Sequence, residues 1–419
     1  MRNNFIAILK TKNFIKIWSS QILSQLTVNL LNFVLIIKIF ENTNSTVAVS
    51  LFWFFWALPA IFLGPFSGTL IDFLGTRKIL ILSNLSQALV VLLYLPVRNS
   101  IWPIYSILLL YSFLNQFYLP AEAATLPGTV SRKLLPSANS LFLFTTYASL
   151  ILGYGLAGPL IKLIGRQFPF VIGSLMLILA ALAVRLLPSQ TFSKINHKIS
   201  SQYLPDFFKK LNEGYQFIRY NPTVLFPLLI LVFSQIILSI LLVLAPALIV
   251  KILNTDLINI SSRLVLPIGI GGILGMITTV KLLKNIRKRY LINTGFFLLS
   301  FSLFFLVLAV PHFPQYFKIL SEIVLGLICG FAFSLFTVPT QTLLQEKTPD
   351  NLRGRVFGVL GFLITLSSVL PVLFAATIGE FLGEIWVILI LAIAIFSLGL
   401  FSWKGENVIN RLYRLGNSY

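Results

Sequence analysis

Residues 222–250 read PTVLFPLLILVFSQIILSILLVLAPALIV, a run without one ionisable side chain. A soluble core cannot hide such a run, whereas about 20 apolar residues wound as a helix cross the ~30 Å hydrocarbon layer of a bilayer. Backbone in lipid must satisfy its own hydrogen bonds, so stretches of this length span as helices. The feature recurs along the chain. Apolar runs bounded by Pro, Gly and charge predict twelve spans, over 14–39, 46–71, 77–97, 101–128, 137–163, 167–187, 222–250, 261–282, 290–310, 315–343, 354–379 and 385–403. Composition agrees: 57% of the 419 residues are hydrophobic and 11% charged, against about 45–50% and 25% in soluble domains. The expected fold class is an all-α membrane protein with twelve transmembrane helices in two six-helix bundles.

A net charge of +20 could serve nucleic acid, because basic patches are the footprint of phosphate binding. Here the basic residues fall in short clusters between apolar runs. With twelve spans, both termini and the even-to-odd connectors share one side, and that side holds 25 of the 32 Lys and Arg residues. The positive-inside rule makes it cytoplasmic. The expectation is a multi-pass protein of the cytoplasmic membrane with both termini inside, membrane lipid around it and no nucleic-acid partner. The first apolar run is too long for a cleaved leader and reads as a retained span.

Cys329 is the single cysteine, so no intramolecular disulfide is expected. His197 and His312 lie far apart, and no zinc-site, triad or phosphate-loop spacing occurs. No metal, no cofactor and no catalytic residue are therefore expected, and the chain does not read as an enzyme.

The longest polar stretch, 188–221, separates an N-terminal bundle (1–187) from a C-terminal bundle and tail (222–419). Within it Leu204, Phe207, Phe208, Leu211, Tyr215 and Ile218 recur at helical spacing, with Lys209, Lys210 and Glu213 opposite. That pattern suits an amphipathic helix along the inner membrane surface; a plain linker helix is compatible with it. The halves echo each other. FYLP (117–120) and FTVP (336–339) lie 219 residues apart, and the same offset carries GTLIDFLGTRK (68–78) close to the basic connector at 281–290. Internal repeats are common in secondary transporters, whose binding sites lie between the repeats.

Five stretches in order resemble the major facilitator superfamily, in particular its branch of macrolide-efflux proteins and enterobactin exporters. They are LKTKNFIKIWSSQILSQL at the start, GTLIDFLGTRK between spans two and three, YLPAEAATLPGTVSRKLLPSANSL around the fourth connector, LNEGYQFIRYNP before span seven and LLQEKTPDNLRGRVFGVL before span eleven. The likeness covers nearly the whole chain and implies a pseudo-symmetric pair of bundles working by alternating access. Two departures stand out: Phe73 follows Asp72 where the family has a basic residue, and Thr27 and Val28 replace a Gly-Asp pair of the first span. The second leaves a coupling scheme based on an acid in span one without its acid.

The resemblance implies that the 68–78 connector belongs to a cytoplasmic latch. Gly68 and Gly75 permit a tight turn, Asp72 can face the positive N-terminus of span eleven, and Arg77, Arg353 and Arg355 supply cations. An ordinary inner loop with a capping Asp is the alternative. Gln21, Gln25, Asn29 and Asn32 share one face of span one, and Tyr111, Asn115, Tyr118 and Glu122 share one of span four. Ser334, Thr337 and Gln341 mark span ten; Ser234, Gln235 and Ser239 mark span seven. In the superfamily these four spans line the substrate cavity; hydrogen bonds between helices are the other use of such residues.

Glu122 is the acid well inside the N-terminal half, and an intramembrane carboxylate is a functional hypothesis by default. It is expected to carry the coupling proton or to bind a cationic group of the substrate, with pairing to Arg132 or Lys133 as the other reading. Glu322, nearer the outer end of span ten, is a weaker candidate. GYGLAGPL resembles the fifth-span antiporter motif through Gly153, Gly155, Gly158 and Pro159, although Lys162 and Leu163 stand where a Gly pair is usual; generic packing glycines are the alternative.

Together these features predict a monomeric secondary transporter that exports an amphipathic small molecule in exchange for protons. An uncoupled facilitator or lipid-moving transporter of the same fold is the nearest alternative, and a non-transporting membrane subunit or sensor a more distant one.

Overall fold

The computed structural model describes residues 7–63, 75–97, 100–131, 133–188 and 203–416. Among them the regular structure is helical. In chain order the helices are α1 (Lys12–Thr43), α2 (Thr46–Leu63), α3 (Thr76–Leu92), α4 (Ile101–Thr125), α5 (Leu135–Ile164), α6 (Phe168–Arg185), α7 (Tyr203–Tyr220), α8 (Pro222–Ala247), the short α9 (Leu257–Ile260), α10 (Leu266–Leu282), α11 (Lys288–Leu308), α12 (Gln315–Lys347), α13 (Asp350–Ser367), α14 (Leu370–Leu382) and α15 (Glu384–Gly416). Ten segments of the described residues are long and apolar enough to cross a membrane. The other two are α3, which has 17 residues, and α4, whose hydropathy is diluted by Asn115, Gln116 and Glu122. The predicted eleventh span is α13 and α14, separated at Ser368 and Val369 just ahead of Pro371.

The chain groups into two compact units: Met1–Thr43 with Leu51–Tyr203, and Asn44–Ser50 with Leu204–Tyr419. In the first, α1 packs on α5 and α6, and α3 on α4 and α6. Phe14, Ile17, Tyr118, Ala138, Phe142 and Val184 form one of its buried clusters. Close approach of α1 and α5 depends on Gly153, where a Cβ would stand 2.6 Å from Asn29 Cβ and 2.9 Å from Leu30 N. The C-terminal end of α6 is closed by two cations. Lys16 Nζ donates to the Leu186 carbonyl at 2.7 Å, and Arg77 Nη2 to the Arg185 carbonyl at 2.5 Å. Positive charge there complements the helix dipole.

In the second unit the tightest pair is α10 and α12. A Cβ on Gly271 would lie 2.0 Å from Leu327 O, and one on Gly330 1.8 Å from Ile268 O. Gly275 and Gly326 sit one turn away from these and are nearly as crowded. Small residues four apart let two backbones touch, which drives helix association where lipid removes the hydrophobic incentive. Phe296 of α11 stacks on Phe336 of α12 with centroids 4.5 Å apart. Two π-helical turns interrupt the regular winding, Leu248–Ile252 after α8 and Ser261–Val265 before α10. The linker helix α7 lies on α13: a Cβ at Gly214 would meet Arg355 O at 2.8 Å, and Ile218 joins Val356, Val359 and Leu360 in a buried cluster. The segment leading into α2 belongs here too. Ser45 Oγ and the Val47 amide, the latter at 3.0 Å, both donate to Glu380 Oε1 of α14, so a carboxylate caps the first turn of α2.

Candidate functional site

Unit one buries a polar constellation between α1 and α4. Tyr118 Oη donates to Glu122 Oε1 at 2.7 Å, one turn apart on α4. Both side chains are buried, Tyr118 at 1% and Glu122 at 6% exposure. Ser20 and Ser24 of α1 lie beside the same phenol. A carboxyl so enclosed, with a hydroxyl as its partner, can gain or lose a proton while one hydrogen bond persists. Arg132, one of the expected alternative partners, lies outside the described residues.

The other polar residues of α1 and α4 divide in use. Gln21 Nε2 donates to the Phe142 carbonyl of α5 at 3.2 Å, and Asn29 Nδ2 to the Gln25 carbonyl of its own helix at 2.8 Å; Gln25 itself is half-buried. Asn115 Oδ1 accepts a long bond, 3.5 Å, from Gln87 Nε2 of α3. Asn32 and Tyr111 line a small crevice within this unit together with Trp56, Tyr94, Leu35 and Leu108. Tyr111 stacks on Trp56 at 6.0 Å. The hydroxyls of Tyr94 and Tyr111 are buried and have no hydrogen-bond partner among the described residues.

Residues on α3 and at its end, which the sequence reading left aside, thus complete the polar interior: Asn84 and Gln87 are fully buried and Tyr94 nearly so. Amides at 84 and 87 on a helix of moderate hydropathy were the available signal.

In unit two, Ser334 Oγ donates to the Gly272 carbonyl of α10 at 2.8 Å, while Thr337 Oγ1 returns to the Phe333 carbonyl of its own helix at 2.8 Å. Gln341 is exposed. Gln235 Nε2 donates to Ser239 Oγ at 3.3 Å, and Ser234 Oγ to the Leu231 carbonyl at 2.7 Å. Ser234, Ser334 and Thr337 thus satisfy helix carbonyls, and Gln235 and Ser239 bond to each other.

Of the latch residues, Gly68 and Asp72 lie outside the described residues. Gly75 turns at φ 83°, a left-handed value natural to glycine. Arg77 is engaged with the end of α6, Arg353 Nη2 donates to the Gln345 carbonyl at 3.3 Å, and Arg355 pairs with Glu213 of the linker helix at 2.8 Å. In the fifth-span motif, Gly153, Gly155 and Gly158 are buried and Pro159 is accommodated without ending α5.

The sequence profile of the Major Facilitator Superfamily matches residues 17–371. The chain belongs to that superfamily. It is 27% identical over 384 residues to the MFS-type transporter YfiS of Bacillus subtilis (strain 168), covering 90% of this chain and 88% of that one. It is 24% identical over 380 residues to macrolide efflux protein A of Streptococcus pyogenes, covering 88% and 90%. A bacterial homolog of the human lysosomal transporter Spinster, crystallised inward-facing and unoccupied, superposes with a TM-score of 0.71 at 11% identity over 98% of both chains, a likeness of fold. The protein is a multi-pass membrane transporter whose relatives are transporters rather than enzymes. It binds a small-molecule substrate and sits in lipid.

Proposed function

We propose that this transporter exports an amphipathic small molecule across the cytoplasmic membrane in exchange for protons, with both termini inside. Residues 1–187 and 222–419 act as the two moving bundles, joined by 188–221. The observation that carries the reading is the buried Tyr118–Glu122 hydrogen bond: a carboxyl enclosed within a membrane bundle is expensive to keep unless its protonation is used. The relative named macrolide efflux protein A supports export as the direction and a macrolide as the first substrate to try. Abundant aromatic residues, including 38 Phe, suit a greasy cavity with few polar anchors. The chain acts as a monomer in this reading. A latch joining Asp72 to Arg353 and Arg355 requires that Arg355 leave Glu213 during the cycle.

Everted membrane vesicles test this with a radiolabelled macrolide. Uptake above the equilibrium level, abolished by a protonophore, is the expected result. Equilibration without accumulation would mark an uncoupled facilitator and overturn the coupling.

A further inference from the structure

Glu322 lies on the second turn of α12, about 10 Å along the helix from its start at Gln315. It is fully buried, at 0% exposure. Its Oε1 receives the Thr255 hydroxyl at 3.1 Å, whereas its Oε2 is buried and has no partner among the described residues. Thr255 follows Asn254, whose φ of 47° makes the sharp turn between the π-helical end of α8 and α9. The same Thr255 hydroxyl stands 3.2 Å from the Leu253 carbonyl. One proton therefore has two acceptors. An ionised Glu322 takes it, because hydrogen bonds to a charged acceptor are roughly twice as strong. A neutral Glu322 competes only as a carbonyl and leaves the proton to Leu253.

Two cations exert a field on this carboxyl, Arg263 and Lys318. Lys318 is 5% exposed and precedes Glu322 by four residues on the same helix face, the spacing at which opposite charges meet. Arg263 rides on the π-helical turn Ser261–Val265, which is held to α12 where a Cβ at Gly326 would meet Leu264 O at 2.9 Å. Neither cation makes an ion pair with Glu322 among the described residues. The remaining charged groups at this end of the unit are otherwise placed: Lys251 pairs with Glu384 at 2.5 Å, Asp256 is exposed and accepts from Asn259, and His312 is exposed.

We propose that Glu322, Thr255, Lys318 and Arg263 form a second proton-binding site, in which the carboxyl alternates between a neutral form that leaves the Thr255 hydroxyl to Leu253 and a charged form held by Thr255 through Oε1 and paired with Lys318 or Arg263 through Oε2. Loading adds a proton from water to Oε2. Release returns that proton to water and lets the carboxylate turn toward a cation one turn away. On the orientation proposed above, the water is that of the outer face. The site belongs to the C-terminal unit and is separate from the Glu122 constellation.

Infrared difference titration of the full chain in lipid nanodiscs, from about pH 5 to 9, reads carboxyl groups near and above their ordinary range without substrate or gradient. The expected result is a protonated-carboxyl stretch that grows on acidification, is lost in Glu322→Gln and survives in Glu122→Gln. Thr255→Val, Lys318→Met and Arg263→Met should each move its midpoint. Glu322→Asp, which keeps the acid, should retain a displaced band and shows that loss in Glu322→Gln is not misfolding. Titrating bands unchanged by Glu322→Gln, or midpoints unmoved by both cation variants, would overturn the proposal. Because transport plays no part in the readout, failure here is distinct from failure of the coupled-export reading.

Discussion

Tyr118 and Glu122 share a 2.7 Å hydrogen bond inside unit one, the phenol donating and the carboxyl accepting. Removing the donor leaves a buried oxygen without a partner, at a cost of about 1–3 kcal/mol. Tyr118→Phe should therefore lower the melting temperature measurably and alter the pH–rate profile of transport. A variant with unchanged stability and an unchanged pH profile would show that the bond serves neither purpose.

Backbone contact between α10 and α12 makes a second expectation. Gly330→Ala places a methyl group 1.8 Å from Ile268 O, and overpacking of this kind costs about 3 kcal/mol or more. Gly361→Ala on α13 meets nothing within 4 Å and should stay within about 0.5 kcal/mol of wild type. Thermal unfolding in detergent compares the two; equal melting temperatures would mean that α10 and α12 are not in contact.

The linker helix is held to α13 by contact more than by charge. Glu213–Arg355 is a half-exposed pair, and such pairs contribute about 0–1 kcal/mol. Gly214→Ala pushes against the Arg355 carbonyl, 2.8 Å from the new Cβ. Limited trypsin digestion at the exposed Lys209 and Arg219 should accelerate several-fold in Gly214→Ala and remain near wild type in Glu213→Gln. The reverse order would assign the docking to the ion pair.

Two buried phenols without partners, Tyr94 and Tyr111, give a fourth expectation. Replacing an unsatisfied buried hydroxyl by hydrogen is neutral or stabilising. Tyr94→Phe and Tyr111→Phe should keep or raise the melting temperature, while the apparent KM for a macrolide rises about tenfold if each contributes one ligand hydrogen bond of ~1.4 kcal/mol. An unchanged KM would remove both hydroxyls from the substrate site.

Hydropathy made the helices legible because lipid forces each apolar run to close its own hydrogen bonds. Span ends were less so. The π-helical turns at Leu248–Ile252 and Ser261–Val265 leave no periodic trace, because five residues each, LIVKI and SSRLV, are too few to show a period. The Tyr118–Glu122 pair was readable as two residues four apart, but Thr255 could not be assigned to Glu322 from the sequence, since 67 residues separate them. The Gly271–Gly275 and Gly326–Gly330 spacings were present in the sequence as a packing signal; their partnership emerges only from the fold. Arg355 shows the opposite limit: its place at the start of α13 was legible, and its partner Glu213 was not.

Substrate-driven proton movement in proteoliposomes, read with an entrapped pH dye on addition of a macrolide, tests the coupling most directly. Wild type should move protons opposite to the macrolide, and Glu122→Gln should exchange macrolide down its gradient with no proton flux. Proton flux in Glu122→Gln equal to wild type would contradict the assignment.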